Sequence, residues 1–457
     1  MMKNIKYIIG AVILFITACT TEDLDPTLSE NKETDEAITS VDNLYSLASG
    51  LYDILTESEY YGRDLIAVNE VRSDNCFSNG NSGRFTTQSS FLYSSSNDFI
   101  WDNAYNLIAN CNIVINQDLS TLEGDSDYGS YLQGQALIIR ALAHYDLLKT
   151  YGQQHADGDL GVPIMTEYDG DNLDPSRNTI EETKAQIYSD VETAFDMMDS
   201  SYDDSNVFVG KYVAKALESR VAIYFEDWDR ALAAAEEVIN SGLYSVIDAD
   251  SYVSSWSSDG GSNVLFELAF SATDNLSSSS LAYIYRYASD DDDDGYGDVQ
   301  AMSDVFDLYD EDDVRLGILG YQLDGTVLRN MNKFPDTSTG TDNIPLFRYE
   351  EVILNYAEAL LETGADAVST LNMIALNRGE EAYTSVTKDD ILLERRKELI
   401  FEGFRFDDMM RTESDVDYYN STETLSGTLT YPNNLFAYPI TDDEIDANSN
   451  MVQNDGY

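Results

Sequence analysis

The sequence predicts a mostly α-helical fold in which tetratricopeptide-like stacked helical hairpins form an α-α superhelix carrying an irregular, loop-rich excursion. Three observations predict it. Apolar residues recur at spacings of three and four over long stretches, the period of one helix face. From Lys211 to Tyr244 the run KYVAKALESRVAIYFEDWDRALAAAEEVINSGLY alternates small and bulky side chains. Ala214, Ala222 and Ala231 admit close backbone approach while Tyr212, Tyr224 and Trp228 fill the gaps, the scheme by which helical hairpins stack. From about Ser251 to Ile344 the helical period stops, and Ser, Asp and Gly dominate.

Taken in order, the polar segment Leu24 to Glu36 reads as a tether. Val41 to Leu55 is the first amphipathic helix, with Leu44, Leu47, Leu51 and Leu55 on one side. Regularity then fails between Arg72 and Asp98, where RSDNCFSNGNSGRFTTQSSFLYSSSND spreads Phe77, Phe85, Phe91 and Tyr93 through Ser, Asn and Gly. Loops of that length in compact folds are usually functional or disordered. Helices resume over 99–117 and 134–151, then over 184–198, 211–226 and 230–240. Inside the excursion, Val264 to Leu268 and Leu281 to Tyr285 read as short strands. Pro345 restarts the ordered core, 349–362 and 365–377 repeat the hairpin pattern, and an irregular or strand-like piece over 434–440 precedes a short acidic helix.

The stretch around which the rest is organised is ILLERRKELIFEGFRFDDMMRT, Ile391 to Thr412, read as one long helix. Leu392, Arg396, Leu399, Gly403, Phe406 and Met410 make one stripe. Ile391, Ile400, Phe401, Phe404 and Met409 lie off it, so no solvated face is left for Glu394, Arg395, Glu398, Glu402, Arg405, Asp408 and Arg411. These charges are expected to pair inside the fold, with Glu402–Arg405, Arg405–Asp408 and Asp408–Arg411 meeting at spacings of three. A catalytic acid/base pair is the poorer reading, because a neighbouring guanidinium lowers a carboxyl pKa.

The balance of 84 acidic to 26 basic residues, net charge −58, sets up a negative field that repels phosphate backbones and speaks against nucleic-acid binding; 43% hydrophobic content places the chain among folded proteins. Lys3 and Lys6 precede an apolar run, Tyr7 to Ile16, of signal-peptide length and shorter than the ~20 residues of a spanning helix. Ile16-Thr-Ala-Cys19 has the form of a lipobox, making Cys19 the acylated mature N-terminus and residues 1–18 the leader. Two or more acyl chains, at ~0.8 kcal/mol per buried CH₂, hold such a chain on the outer-membrane lipid without spanning it. Glu22 and Asp23 resemble an acidic export tag to the outer face. Cys76 and Cys111 are either bonded or separately buried.

Signatures of catalysis are missing: no HExxH, GxSxG, Walker loop, GxGxxG or CxxC occurs. His144 reads as a helix-packing residue, and His155, near Asp157 and Asp159, as a weak metal ligand. Asp290, Asp292, Asp294 and Asp298, with Gly295 at the turn, match the front half of a calcium loop; Ala301 stands where the bidentate glutamate belongs, which leaves a weaker surface Ca²⁺ site or a solvated acidic loop. No other cofactor is expected. With 32 tyrosines, the strongest binding signal is aromatic and polar together, since sugar C–H faces lie on rings while hydroxyls seek charged or amide partners.

The pattern ER..EL.FEG.R..DMMR from Glu394 to Arg411 resembles the C-terminal signature of the SusD/RagB family of nutrient-binding outer-membrane lipoproteins. So do, in order, Arg140 to Gly152 followed by Gly161-Val-Pro-Ile164, Asn332-Lys-Phe-Pro335, Pro345 to Ala359, Tyr438-Pro-Ile440 and Gln453 to Tyr457. Asp455 stands where the family usually has proline. The resemblance implies that 37–250 is an N-terminal SusD-like helical region and 251–457 a C-terminal SusD/RagB region. It further implies a non-enzymatic surface protein that delivers oligosaccharide to a SusC-like TonB-dependent transporter; the rivals are a RagB-like peptide binder and a surface glycosidase. In such relatives the ligand is held by the loop after the first helices through an Asp and an Arg, positions that Asp74 and Arg84 resemble. Tyr93 would be an aromatic of that loop and Trp101 either the aromatic at its end or a packing residue under the following helix, 103–110, with Trp256, Tyr283 and Tyr285 the opposing wall. No tryptophan lies between Arg84 and Trp101, where several starch binders have one.

Overall fold

The computed structural model describes residues 38–167, 170, 173–287, 295–322 and 325–457. Among the described residues, helices of seven or more residues are α1 Val41–Leu55, α2 Asp64–Val71, α3 Trp101–Ile115, α4 Ser126–Tyr151, α5 Ile180–Met197, α6 Lys211–Tyr224, α7 Trp228–Ser241, α8 Tyr349–Glu362, α9 Val368–Ala375, α10 Lys388–Leu399 and α11 Arg405–Arg411. Their ends obey capping chemistry. Ser40 accepts from the Asn43 N–H at the start of α1, and Thr179 and Thr387 open α5 and α10 with reciprocal capping boxes to Glu182 and Asp390. Gly242, at φ +64°, closes α7 in the left-handed conformation.

Successive helices pack as neighbours: α4 lies against both α3 and α5, α6 against α7, α7 against α8, and α8 against α10. Ala214, Ala222, Ala231, Ala234 and Ala235 are buried along α6 and α7, which is what lets this pair approach closely and continue onto α8. One hydrophobic cluster runs from Val41 to Met451 and joins the helical half to the excursion.

The expected single helix over 391–412 is instead two. α10 stops at Leu399 and α11 starts at Arg405; between them Phe401 and Gly403 take φ +70° and +83°. The break is supported by partners for several of the backbone groups it frees. Lys333 Nζ donates to the carbonyls of Glu398 and Ile400 (2.8 Å each), Tyr285 Oη to that of Phe401, and Asn69 Nδ2 to that of Gly403. The Gly403 N–H in turn donates to Glu70 Oε1 at 2.8 Å.

The break also re-aims the charges. Of the three expected contacts at spacings of three, Asp408–Arg411 forms (2.8 Å); the salt bridges of Glu402 go instead to Lys333 and Arg348, and those of Arg405 to Asp74. Five cations (Arg315, Lys333, Arg348, Arg378, Lys397) and six carboxylates (Asp313, Glu350, Glu380, Glu394, Glu398, Glu402) form one buried network. Glu398 is its hub, meeting Arg378, Arg348 and Arg315. Burial and then the neighbouring Glu394 push Glu380 up to about 8, against the opposing pull of Arg315 and Lys397. A second cluster joins Arg395 and Arg411 to Asp408 and Glu358.

Among the described residues, four two-stranded antiparallel sheets accompany these helices. β1 Cys76–Ser78 pairs with β3 Val299–Ala301, β2 Val264–Leu268 with β6 Ile344–Arg348, β4 Leu319–Gln322 with β5 Val327–Asn330, and β7 Val416–Tyr419 with β8 Leu425–Leu429. β1 thus ties the first long loop to the excursion, and a helical turn at Thr86–Ser89 adds further order there. The expected strand at Leu281–Tyr285 is a short helix instead. Ser280 caps it, and Leu281, Ala282, Ile284 and Tyr285 are buried, a one-sided helical pattern that five residues of sequence do not separate from alternation.

Candidate functional site

A wide concavity lies in the excursion, a cleft of about 520 Å³ between the segments 255–272 and 335–348. β2 and β6 fix its two walls, and β6 runs directly into α8, so the cleft is attached to the ion-paired spine. Trp256 follows the short helix Tyr252–Ser255. Its ring packs edge-on to Phe334 (5.6 Å), with Lys333 Nζ 4.6 Å and the Arg348 guanidinium 5.1 Å from the ring centroid. Phe270, partly buried, adds a second apolar surface to the lining.

Around these rings the polar groups converge. Glu267 accepts from Asn343 Nδ2 and from the Gly260 N–H, 2.8 Å each, and burial raises its carboxyl. The turn PDTSTGTD, Pro335 to Asp342, folds over Asp336, whose oxygens accept from the N–H groups of Ser338, Thr339 and Thr341 and from their hydroxyls. Those bonds hold Asp336 well below the usual carboxylate range despite the opposing effect of partial burial. Asp342 goes the other way. Burial, then the charges of Asp336 and Asp259, push it up to about 7, although the Asp336 N–H donates to it at 2.6 Å. The cleft therefore offers the partly exposed ring of Phe270 backed by Trp256, itself 8% exposed, together with acceptors and a carboxyl, Asp342, raised toward neutrality.

The sequence-predicted residues fall into three groups. Trp256 lines the cleft. Arg84 and Tyr283 lie together on a neighbouring face. The Arg84 guanidinium sits 4.6 Å from the Tyr296 ring centroid and 3.3 Å from Asp298, and Tyr283 packs on the same Tyr296 at 6.0 Å. Asn79 and Asn81 donate to the Gly297 and Tyr296 carbonyls, and Tyr321 (51% exposed) and Phe306 present rings on the adjoining β4 region. The remaining predicted residues are engaged in contacts within the fold and do not line the cleft. Asp74 is gripped by Arg405 (2.7 Å) and Arg396 (3.3 Å), Trp101 is buried against Tyr105 and Tyr151, Tyr93 stacks on Tyr438 at 4.1 Å, and Tyr285 is buried with its hydroxyl on Phe401 O. Asp259, Glu267, Phe270, Asp336 and Asp342 were not anticipated. The one signal for them was Asp336 followed by hydroxyl residues at +2, +3 and +5, a turn signature.

Cys19, Asp290, Asp292 and Asp294 lie outside the described residues. Asp298 turns inward, accepting from the Ser82 N–H (2.9 Å) and Arg84, so it braces the 79–84 loop. Among the described residues no cluster of three His, Cys, Asp or Glu side chains could hold a metal, and no helix is long and apolar enough to cross a membrane. His144 is buried, with Nδ1 at 3.1 Å from Arg140 O and Nε2 accepting from the Met165 N–H; burial lowers it to about 3. His155 bridges the hydroxyls of Tyr224 and Tyr431 and is lowered by burial to about 4. Cys76 and Cys111 are both free and buried.

Two family models match the chain: one described as SusD family over residues 317–457, the other as "Starch-binding associating with outer membrane" over 24–223. A SusD-like protein of Formosa agariphila is 23% identical over 386 residues, 69% of this chain and 72% of that protein. The starch-binding protein SusD of Bacteroides thetaiotaomicron is 31% identical over 144 residues, 30% of this chain and 24% of that protein. Among solved structures, a SusD superfamily protein from Bacteroides vulgatus superposes with a TM-score of 0.83 at 26% identity, covering 92% of this chain and 99% of that one. Another from Bacteroides thetaiotaomicron gives 0.82 at 25%, covering 91% and 100%. The order of motifs, the stacked helices and two models at opposite ends of the chain agree, and the chain belongs to the SusD/RagB family.

Proposed function

We propose that the protein is a cell-surface lipoprotein, anchored through acylated Cys19 in the outer membrane, that captures oligosaccharide and delivers it to a SusC-like TonB-dependent transporter for nutrient uptake. The starch-binding relative and the outer-membrane description of the N-terminal family model support that reading. The observation that carries it is the 520 Å³ cleft, where Trp256 and Phe270 alternate with carboxylates, amides and hydroxyls. A neutral glycan needs that combination: rings for its C–H faces and polar groups for its hydroxyls. The Arg84–Tyr296–Tyr283 cluster, outside the cleft lining, carries a similar combination of ring and charge.

One observation favours a second reading. Asp259, Glu267, Asp336 and Asp342 all line the cleft, on a chain of net charge −58, which suits a basic peptide. A glycosidase would need a second carboxylate free to work at a defined separation from Asp342; the oxygens of Asp336 are occupied by its own turn and Glu267 is held by Asn343 and Gly260, which leaves the exposed Asp259 as the partner such a reading would use. Glycan and peptide arrays probed with the form lacking residues 1–19 separate these readings. The proposal expects retention of neutral oligosaccharides, weakened by Phe270→Ala, with no product released. Retention confined to Lys/Arg-rich peptides would replace it with the peptide reading, and reducing ends appearing from a bound glycan would make the protein an enzyme.

A further inference from the structure

On the helical side of the molecule, a second concavity of about 130 Å³ is walled by Tyr45, Tyr52, Tyr128, Tyr131, Tyr202 and Phe208. Tyr52 and Tyr131 belong to the core and Tyr128, Tyr202 and Phe208 pack against it, while Tyr45 is 40% exposed at the mouth. The rings are mutually ordered. Tyr128 lies 6.1 Å from Tyr131 and nearly parallel to it, Tyr202 is tilted 5.3 Å from Tyr128 and 5.5 Å from Tyr131, and Phe208 stands edge-on to Tyr52 at 5.1 Å.

Three of the tyrosines are fixed through their hydroxyls. Tyr131 donates to Asp203 (2.8 Å), Tyr202 donates to Asp125 (3.0 Å), and Tyr52 accepts from the Val209 N–H (3.0 Å). Their faces are thus held before anything binds, which limits the ordering cost of binding. Asp204 and Ser205 add polar side chains to the rim. The pocket is also placed beside the cleft. Asp204, Ser205 and Phe208 belong to the loop 203–209, and the carbonyl of Asn206 in that loop accepts from the N–H of Glu267, whose side chain lines the Trp256 cleft. The Tyr52 ring packs on both Phe208 and the fully buried Phe266 of β2, so the two concavities are linked through β2 and the 203–209 loop.

From this geometry we infer that the tyrosine pocket is a second sugar subsite. It takes a neutral pyranose ring of the same glycan chain whose other residues occupy the cleft across the 203–209 loop. The inference rests on the glycan reading and adds to it a ligand length: the chain must be long enough to engage both places. A protein would meet a flat patch; a concave nest of rings with a carboxylate and a hydroxyl at its rim fits a sugar ring. Engagement at two places raises the affinity for a long chain without changing that for a short one.

The test uses the full-length chain in detergent and affinity gels cast with amylopectin, xylan, galactomannan or mixed-linkage β-glucan. On each polysaccharide that retards the wild type, Tyr45→Ala/Tyr128→Ala is expected to bind about tenfold more weakly. Tyr45→Phe/Tyr128→Phe, which keeps the rings, should bind like the wild type, and a trisaccharide of the same polymer should bind all three alike. If the double alanine variant loses its cooperative thermal transition, Tyr45→Ala alone at the exposed ring makes the same comparison, with about a threefold loss expected. Wild-type retardation of the alanine variants on every retained polymer overturns the subsite while leaving the glycan reading standing. Retardation by none of the four polymers removes both. Unchanged retardation with loss of co-purification of the transporter would make the pocket a protein contact and overturn the subsite as well.

Discussion

Replacing Glu398 by glutamine isolates the cost of unbalancing the buried spine. Glu398 is fully buried; its Oε1 accepts from Arg348 Nη1 (3.1 Å) and Arg378 Nη2 (3.0 Å), its Oε2 accepts from Arg378 Nε (2.8 Å), and Arg315 Nη1 stands at 3.5 Å. Glutamine has nearly the same volume, so packing is preserved. One negative charge is lost, and an amide NH₂ is turned toward guanidiniums that are donors themselves. Removing one partner of a buried pair costs about 3–5 kcal/mol, because the remaining charge is left uncompensated. That is a large share of the ~5–15 kcal/mol that holds a typical domain folded.

The proton on Glu380 adds a pH signature. In the wild type its pKa is raised to about 8, so its contribution to stability is full below the ordinary carboxyl pKa and is lost as pH rises through about 8. In the variant the network has a surplus cation, Glu380 ionises at lower pH, and that decline disappears. The deficit of Glu398→Gln should therefore be larger at pH 5 than at pH 8. Urea unfolding followed by circular dichroism measures it, with Glu181→Gln at the exposed Lys184 pair as the control expected to stay within about 0.5 kcal/mol. A Glu398→Gln loss below about 1 kcal/mol at both pH values would refute the reasoning.

Three further outcomes are expected. Gly403→Ala must place a Cβ on a φ of +83° and 3.1 Å from Ile66 Cα; the left-handed backbone alone costs about 1–2 kcal/mol, readable as a lower urea midpoint, and an unchanged midpoint would contradict the account of the helix break. Burial raises Asp342 to about 7, so the native state holds a proton that the unfolded chain releases, and stability falls as pH rises from about 4 to about 7. Asp342→Asn should accordingly gain on the wild type in thermal midpoint across that interval, and a constant difference would contradict the buried placement. Burial also pushes the Cys76 and Cys111 thiols up, so neither should react with a thiol reagent at pH 8 until the protein unfolds, and stoichiometric labelling of the native chain would contradict their positions.

The helices were legible because their signal is local. The apolar period and flanking residues give α8 at Tyr349–Glu362 and α1 at Val41–Leu55 residue for residue, and the alanine–aromatic alternation gives the α6–α7 hairpin. The charges of the spine were legible as buried, since the surrounding apolar residues leave them no solvated face. Their partners were not. Arg405 meets Asp74, and Lys333 meets Glu402, across 331 and 69 residues, distances at which sequence spacing carries no information. The helix break at Gly403 needed acceptors and donors supplied by Glu70, Asn69, Tyr285 and Lys333, again from far along the chain. In the site, composition pointed to the excursion, and the family resemblance to Trp256. Neither could tell an aromatic that lines a cleft from one that fills the core, and so Trp101 and Tyr285 looked no different from Tyr296 and Tyr321.

The most direct test of the central claim is a crystal structure of the protein with a neutral oligosaccharide that an array shows it to retain. Electron density for sugar rings within the Trp256 cleft, hydrogen-bonded to Asp342, Asn343 or Asp259, is the predicted result. Full occupancy elsewhere on the surface, with the cleft holding only water, would contradict it.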